Sequence, residues 1–397
     1  MKQVLTGTTV LEYAQYLAGP FCGAVLAEMG ANVIKIEPPG GAGDRLTNGP
    51  FAPNGEGLMF LMSARNKKGI TLNLEKPRGK ELFKELVRKS DVLVENVSLQ
   101  AKKQLGFTYE ELCQCNPGII LTEVSGFGTD GSDSDRLGFD ISAQAESGIM
   151  AITGFPDGPG TRCAIGFIDM STALYAAFGT AMALLHKART GEGQRVQAAL
   201  MDTALACMGF QGTLAEYELM HQERPRMGNE GYHAFADCFM ASDGPIIIAA
   251  PNDTTWKRMA RLIGHPELRD DPRFANNEAR WTNRAAAYPI IREWASQRGR
   301  SEIVELLGKN GVPCGPVNTV AEAYNNPYIQ ARDLLARLPL EGVGMVPHPR
   351  VPVRMSKTPG RIECAAPKAG QDNERVYGEL LGLSVRQLKE LRLEGVI

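Results

Sequence analysis

Apolar residues in the first third of the chain fall into short continuous runs separated by stretches in which they recur at helical spacing. Val10 to Tyr13 reads as a strand, Phe21 to Met29 as a helix and Asn32 to Glu37 as a second strand, a βαβ opening. Ile70 to Leu74, a helix from Pro77 to Lys89, Asp91 to Glu95 and Ile119 to Val124 extend the alternation. Strands that are apolar on both faces belong in a parallel sheet covered by helices on each side. Met170 to Leu185 then predicts a long helix rich in small residues, stopped by Thr190, Gly191 and Gly193, and Gln194 to Ala199 returns as a strand.

The pattern changes beyond the helix that begins at Asp202. His221 to Gly231 is polar and rich in turn residues, as a linker would be. Phe235 to Ala241 and Ile246 to Ala250 flank Ser242-Asp243-Gly244, the signature of a hairpin. Helical spacing resumes in Trp256 to Ile263, Ala286 to Gln297 and Glu302 to Lys309. A proline-rich stretch, Val346 to Pro359, leads to a last helix at Val385 to Leu393. No internal repeat is visible.

Composition narrows the function classes. A chain of 397 residues exceeds one ordinary domain. A formal net charge of -2 and a pI near 6.3 give no global reason to bind nucleic acid or an anionic membrane, so a polyanionic ligand would need local basic groups. Glu12 and Gln15 interrupt the apolar N-terminal stretch, which argues against a signal peptide, and no run is long enough to span a bilayer. The close pair Cys113 and Cys115 lacks the spacing of metal or redox motifs, so the 8 cysteines read as reduced thiols of a cytoplasmic protein. The 5 histidines never stand three or four residues apart, which disfavours a metal site. Acid and base chemistry is left to carboxylates.

Four places could carry chemistry. Leu17-Ala18-Gly19-Pro20 forms the first βα turn, where small residues let a ligand approach a helix N-terminus, or where proline simply starts a helix. The Gly-x-Gly-x-x-Gly fingerprint of dinucleotide sites is missing from that turn. Arg65, Asn66, Lys67 and Lys68 form a basic cluster suited to phosphates, or a solvated surface. Asp169 precedes the helix expected at Met170; it reads locally as an N-cap first, and as a nucleophile toward an activated acyl group second. Asp140, after Gly138-Phe139, is a second active-site carboxylate or a turn residue.

Several segments together resemble the class III CoA-transferases, the family of formyl-CoA transferase and the carnitine CoA-transferases. They are Leu17-Ala18-Gly19-Pro20; Gly30-Ala31-Asn32-Val33-Ile34-Lys35-Ile36-Glu37-Pro38-Pro39-Gly40; Asn66-Lys67-Lys68-Gly69-Ile70; Glu95-Asn96; Leu105-Gly106-Phe107; Gly191-Glu192-Gly193-Gln194; and Glu394-Gly395-Val396-Ile397. The resemblance implies that Asp169 is the nucleophile and that CoA moves from a donor acyl-CoA to an acceptor carboxylic acid through a covalent aspartyl intermediate. It implies CoA contacts at Leu17, Ala18, Leu72, Asn73, Leu74, Asn96, Val97, Ser98, Gly138, Phe139 and Asp140. Formyl-CoA transferase carries basic residues where this chain has Pro38, Glu75, Gln104 and Leu137, and its glycine-rich lid has no clear counterpart. Arg65, Lys68, Lys102, Lys103 and Arg136 are the candidate replacements for gripping phosphate.

The fold implied by the resemblance is α/β: a Rossmann-like large domain with a parallel sheet built from both chain ends, plus a smaller α+β domain, in an interlocked homodimer. Its boundaries would be 1–205 for the first part of the large domain, 206–225 for a linker, 226–325 for the small domain and 326–397 for a linker and the return. No tightly bound cofactor and no metal are expected; a CoA thioester is the substrate. One alternative is an α-methylacyl-CoA racemase-like isomerase, but those enzymes carry Gly-His-Asp-Ile where this chain reads Gly138-Phe139-Asp140-Ile141, and phenylalanine cannot exchange a proton. The other, a non-catalytic CoA-binding subunit, sits poorly with the presence of Asp169.

Overall fold

Six short strands with largely apolar interiors pair in parallel: β1 (Thr9–Tyr13), β2 (Asn32–Glu37), β3 (Lys68–Thr71), β4 (Val92–Glu95), β5 (Ile120–Ser125) and β6 (Arg195–Ala199). The computed structural model describes residues 2–47 and 49–397. Their order is β3-β2-β1-β4-β5-β6. Helices α1 (Ala18–Glu28), α2 (Pro77–Arg88), α3 (Leu99–Leu105), α4 (Asp140–Glu146) and α5 (Phe167–Thr190) lie in the crossovers. α2 starts with proline at its first position and turns Leu82, Phe83, Leu86 and Val87 inward, a spacing that makes one apolar stripe. Phe83 stacks on Phe107 with ring centroids 4.1 Å apart.

Strand order reverses beside β1. The connections leaving β1 and β4 therefore diverge and open a crevice at the carboxyl ends of these neighbours, where open α/β sheets hold their ligands. The C-terminal end of the chain completes this unit with α6 (Asn373–Leu381) and α7 (Val385–Leu393) and an antiparallel ribbon, Leu335–Leu340 with Gly344–Pro349. Asn73 N–H donates to Val396 O at 2.7 Å and Tyr377 Oη–H to Thr71 O at 2.8 Å. Both chain ends thus build the unit, but all six strands of the sheet come from the first half, and the C-terminal end adds helices and a ribbon.

Contacts divide the chain into two units: residues 1–149, 163–221 and 332–397 form one, and residues 150–162 and 222–331 the other. In the second, β7 (Phe235–Ala241), β8 (Gly244–Ala250) and β9 (Cys314–Pro316) form an antiparallel sheet in that order. Its core gathers Phe235, Phe239, Trp256, Phe274, Tyr288 and Trp294.

Three more expectations change. The run 206–225, expected as a linker, is mostly helical, because Leu200, Ala204 and Met208 recur on one buried face of Leu200–Gly209 and a second helix spans Thr213–Met220. β3 ends at Thr71 rather than Leu74: Leu72 N–H still reaches Glu37 O at 2.7 Å, but from Asn73 onward the C-terminal segment takes over the pairing. α5 begins three residues earlier than Met170, which puts Asp169 inside its first turn.

Candidate active site

The segment after β1, residues 14–17, and the segment after β4, Asn96-Val97-Ser98, face each other across the crevice. Asn96 ties them: its Oδ1 accepts the Gln15 N–H at 3.0 Å and its Nδ2 donates to Gln15 O at 2.8 Å. A pocket of about 160 Å³ is lined by Tyr16, Leu17, Ala18, Asn96, Val97, Ser98, Arg136, Gly138, Phe139 and Asp169, among others. A groove of about 310 Å³ shares Tyr16, Asn96, Val97 and Ser98 with it and continues along Ile36, Pro38, Ala42, Ala101 and Leu105. Gly126 and Gly138 let two chain segments cross at the pocket: a Cβ on Gly138 would stand 2.5 Å from Gly126 Cα.

Two carboxylates meet at the N-terminus of α5, and their roles differ. Asp140 Oδ2 accepts the N–H of Ile168 at 2.8 Å and of Asp169 at 3.2 Å, so Asp140, reaching from α4, takes first-turn donors that Asp169 was expected to cap. Its other oxygen accepts from Gln144 Nε2, and Gln144 Oε1 accepts the Cys163 N–H at 2.9 Å. The Asp169 side chain, half-buried, points to the pocket. A Cβ on Gly166 would meet Leu17 Cδ2 at 3.2 Å, Asp169 Oδ2 at 3.4 Å and Asp140 Oδ2 at 3.7 Å, so the three side chains converge on this glycine. Burial, and then the neighbouring charge of Asp140, pushes the Asp169 carboxyl up to about 7.

The remaining residues named from the sequence separate into two groups. Leu17, Ala18, Asn96, Val97, Ser98, Arg136, Gly138 and Phe139 come together with Asp169, and Asp140 stands against it. The others do not. Leu72 and Leu74 are closed into the core with Val376, Tyr377 and Val396, so their side chains offer no ligand contact, and Asn73 faces the C-terminal segment. Arg65 is buried, its Nε donating to Glu28 at 2.8 Å. Lys68 lines a different cleft, with Arg375 and Asp372. The reason is topological: residues 65–68 lead into β3 and so lie at the amino edge of the sheet, away from the carboxyl edge that holds the pocket. Lys102 is spent on Glu95, at 2.8 Å, and on Glu123. Lys103 is exposed on α3 and outside both linings.

Among the described lining residues, Arg136 is the one basic side chain. It pairs with Glu146 at 2.9 Å and Asp133 at 3.3 Å and lies over the Phe127 ring at 4.2 Å. Sequence reasoning missed Tyr16 and Asp44. Asp44 Oδ2 accepts the Tyr16 N–H at 2.8 Å, a link across 28 residues with no local signal.

A doubly wound sheet with a crevice at its strand-order reversal, and a half-buried carboxylate facing that crevice, define an α/β protein with a candidate ligand site at the carboxyl ends of its strands. The chain belongs to CoA-transferase family III, whose model matches residues 5–373. It is 37% identical over 395 residues to the succinyl-CoA--D-citramalate CoA-transferase of Chloroflexus aurantiacus, covering 99% of this chain and 98% of that protein. With the succinate--glutarate CoA-transferase of Agrobacterium fabrum it shares 34% identity over 386 residues, 96% of each chain. The crystal structure of a CaiB/BaiF family protein from Brucella suis superposes with a TM-score of 0.84 at 34% identity, covering 96% of this chain and 100% of that one. The chain is thus a class III CoA-transferase, an enzyme that takes a CoA thioester as substrate.

Proposed function

We propose that this enzyme moves CoA from a dicarboxylic acyl-CoA, with succinyl-CoA as donor, to a second carboxylic acid through Asp169. The observation that carries the reading is the Asp169 carboxylate at the mouth of α5, facing the pocket while Asp140 occupies the helix donors. A carboxylate left without those donors keeps its electron pair available for attack.

Asp169 attacks the thioester carbonyl; the C–S bond breaks, giving a mixed anhydride and CoA thiolate. The thiolate adds to the aspartyl carbonyl, the anhydride C–O bond breaks, and the donor acid leaves as carboxylate. An acceptor carboxylate then reverses both steps on the aspartyl-CoA thioester. Each exchange conserves an activated acyl bond, so the thioester supplies the driving force. The groove along Asn96 to Ser98 and Ile36 to Ala42 is our site for the CoA chain, with Arg136 the basic side chain among the described residues that line the pocket. The succinyl donor rests on the succinyl-CoA used by the Chloroflexus aurantiacus relative and on the succinate in the name of the Agrobacterium fabrum one. We further propose an interlocked homodimer, supported by the solvent-facing apolar side of α5.

Intact-mass spectrometry after incubation with succinyl-CoA and other acyl-CoA thioesters tests the mechanism, with hydroxylamine or borohydride trapping. A CoA adduct or trapped aspartyl derivative in the wild type, lost in Asp169→Asn, is expected. Turnover in the wild type without any adduct, together with solvent deuterium entering the acyl α-carbon, would overturn it.

A further inference from the structure

Tyr16 has φ 64°, a left-handed backbone that a residue with a side chain holds only when its surroundings enforce it. The enforcement here is polar and lies beside or beneath the loop. Asp44 Oδ2 accepts the Tyr16 N–H at 2.8 Å, and the Asn96 amide holds both backbone groups of Gln15. Lys35 Nζ donates to Ala14 O at 2.9 Å and Lys67 Nζ to Pro20 O at 2.7 Å. Both ammonium groups are buried and ion-paired to the buried carboxylate of Glu12, at 3.3 Å and 2.6 Å, so the loop is fixed at each end to the sheet. The Tyr16 ring stands edge-on to Phe139, centroids 5.6 Å apart, and lines both the pocket of Asp169 and the groove beside it.

We propose that Tyr16 is a specificity-determining residue for the thioester substrate: its ring, aimed by the left-handed backbone, fixes where the CoA chain passes from groove to pocket. Asp44 is a positioning residue that acts through it. The inference rests on the assignment of the groove to CoA made above.

Steady-state kinetics and CoA-binding calorimetry on variants test it. Tyr16→Ala raises the KM for acyl-CoA about tenfold while kcat changes less than about threefold. Tyr16→Phe keeps the wild-type KM. Asp44→Ala reproduces the rise, and the Tyr16→Ala, Asp44→Ala double variant is no worse than Tyr16→Ala alone, because the second change has nothing left to act through. An unchanged KM in Tyr16→Ala, or losses that add in the double variant, overturn the proposal. Should Asp44→Ala fail to fold, Tyr16→Gly decides, since glycine adopts this backbone freely: a raised KM with undiminished melting temperature supports the role of the ring, and an unchanged KM refutes it. Ala101→Trp fills the groove and separates the two readings. If it leaves CoA binding intact, the groove assignment fails and the proposal with it; if it abolishes binding while Tyr16→Ala keeps its KM, only the role of Tyr16 fails.

Discussion

A carboxylate that attacks a thioester must be ionised, yet the surroundings of Asp169 resist its charge. Burial comes first and the Asp140 carboxylate second, holding the group at about 7 in place of the ordinary 3.8. Activity should therefore rise with pH through about 7, the limb of a kcat/KM profile that reports an essential base in the free enzyme. The same shift affects stability with a definite sign. The folded state holds the Asp169 proton more tightly than the unfolded chain, so this group costs nothing below the unfolded pKa and costs progressively more as pH rises from about 4 to about 7. Asp169→Asn removes that cost: its melting temperature should exceed the wild type's at pH 8 and match it near pH 4. A variant less stable than wild type at pH 8 would show that Asp169 is a structural cap after all. The sequence could not separate these roles. A carboxylate before a helix looks like a cap from local spacing, and the side chain that takes the donors comes from a position 28 residues earlier than Ile168. Leu72 and Leu74 mislead in the same way, since apolar residues at a strand end give no sign of whether a ligand or the returning C-terminus will cover them.

The elements themselves were far more legible. β2 and α7 fall on Asn32–Glu37 and Val385–Leu393 as periodicity predicts, and the hairpin β7–β8 follows from two apolar runs around Asp243-Gly244. Such features are set by neighbours in sequence, which is why they can be read from it. What joins elements is less accessible. α4 and α5 meet through a chain of hydrogen bonds from Cys163 through Gln144 and Asp140 to the first turn of α5, and nothing in the spacing of these residues announces it. Gln144 is fully buried, so Gln144→Leu, close in size but unable to hydrogen-bond, leaves Asp140 Oδ1 without this donor and the Cys163 N–H without this acceptor. Stability should fall by about 1–3 kcal/mol for an unpaired buried polar group. If Asp140 positions α5 for chemistry, kcat should fall with the KM for acyl-CoA retained. Denaturant titration beside steady-state kinetics checks both, and an unchanged kcat would confine Gln144 to stability.

At the scale of the whole molecule, α5 presents two unlike faces. Ile168, Thr172, Ala173, Ala176, Ala177, Thr180 and Ala183 pack inward, small residues that bring the helix close to the sheet. Met170, Leu174, Phe178, Met182 and Leu185 recur every three or four residues on the other side and face solvent, Phe178 at 63% exposure. Against the expectation that no run could span a bilayer, this helix is long and apolar enough to cross one by length and composition alone, but its small-residue face is already used by the sheet. A continuous apolar stripe of this kind marks a surface suited to association, and in the homodimer proposed above a second copy of the chain would close it with one symmetric contact. Sedimentation equilibrium should then give the mass of two 43.1 kDa chains. Phe178→Glu places a charge in that contact and should yield monomer or insoluble protein, because a buried unpaired charge is far costlier than a lost apolar contact. A wild type that sediments as one 43.1 kDa chain and transfers CoA at full rate would refute the dimer. A wild type that gains mass only in the presence of a homologous chain would instead point to a paired, two-chain arrangement.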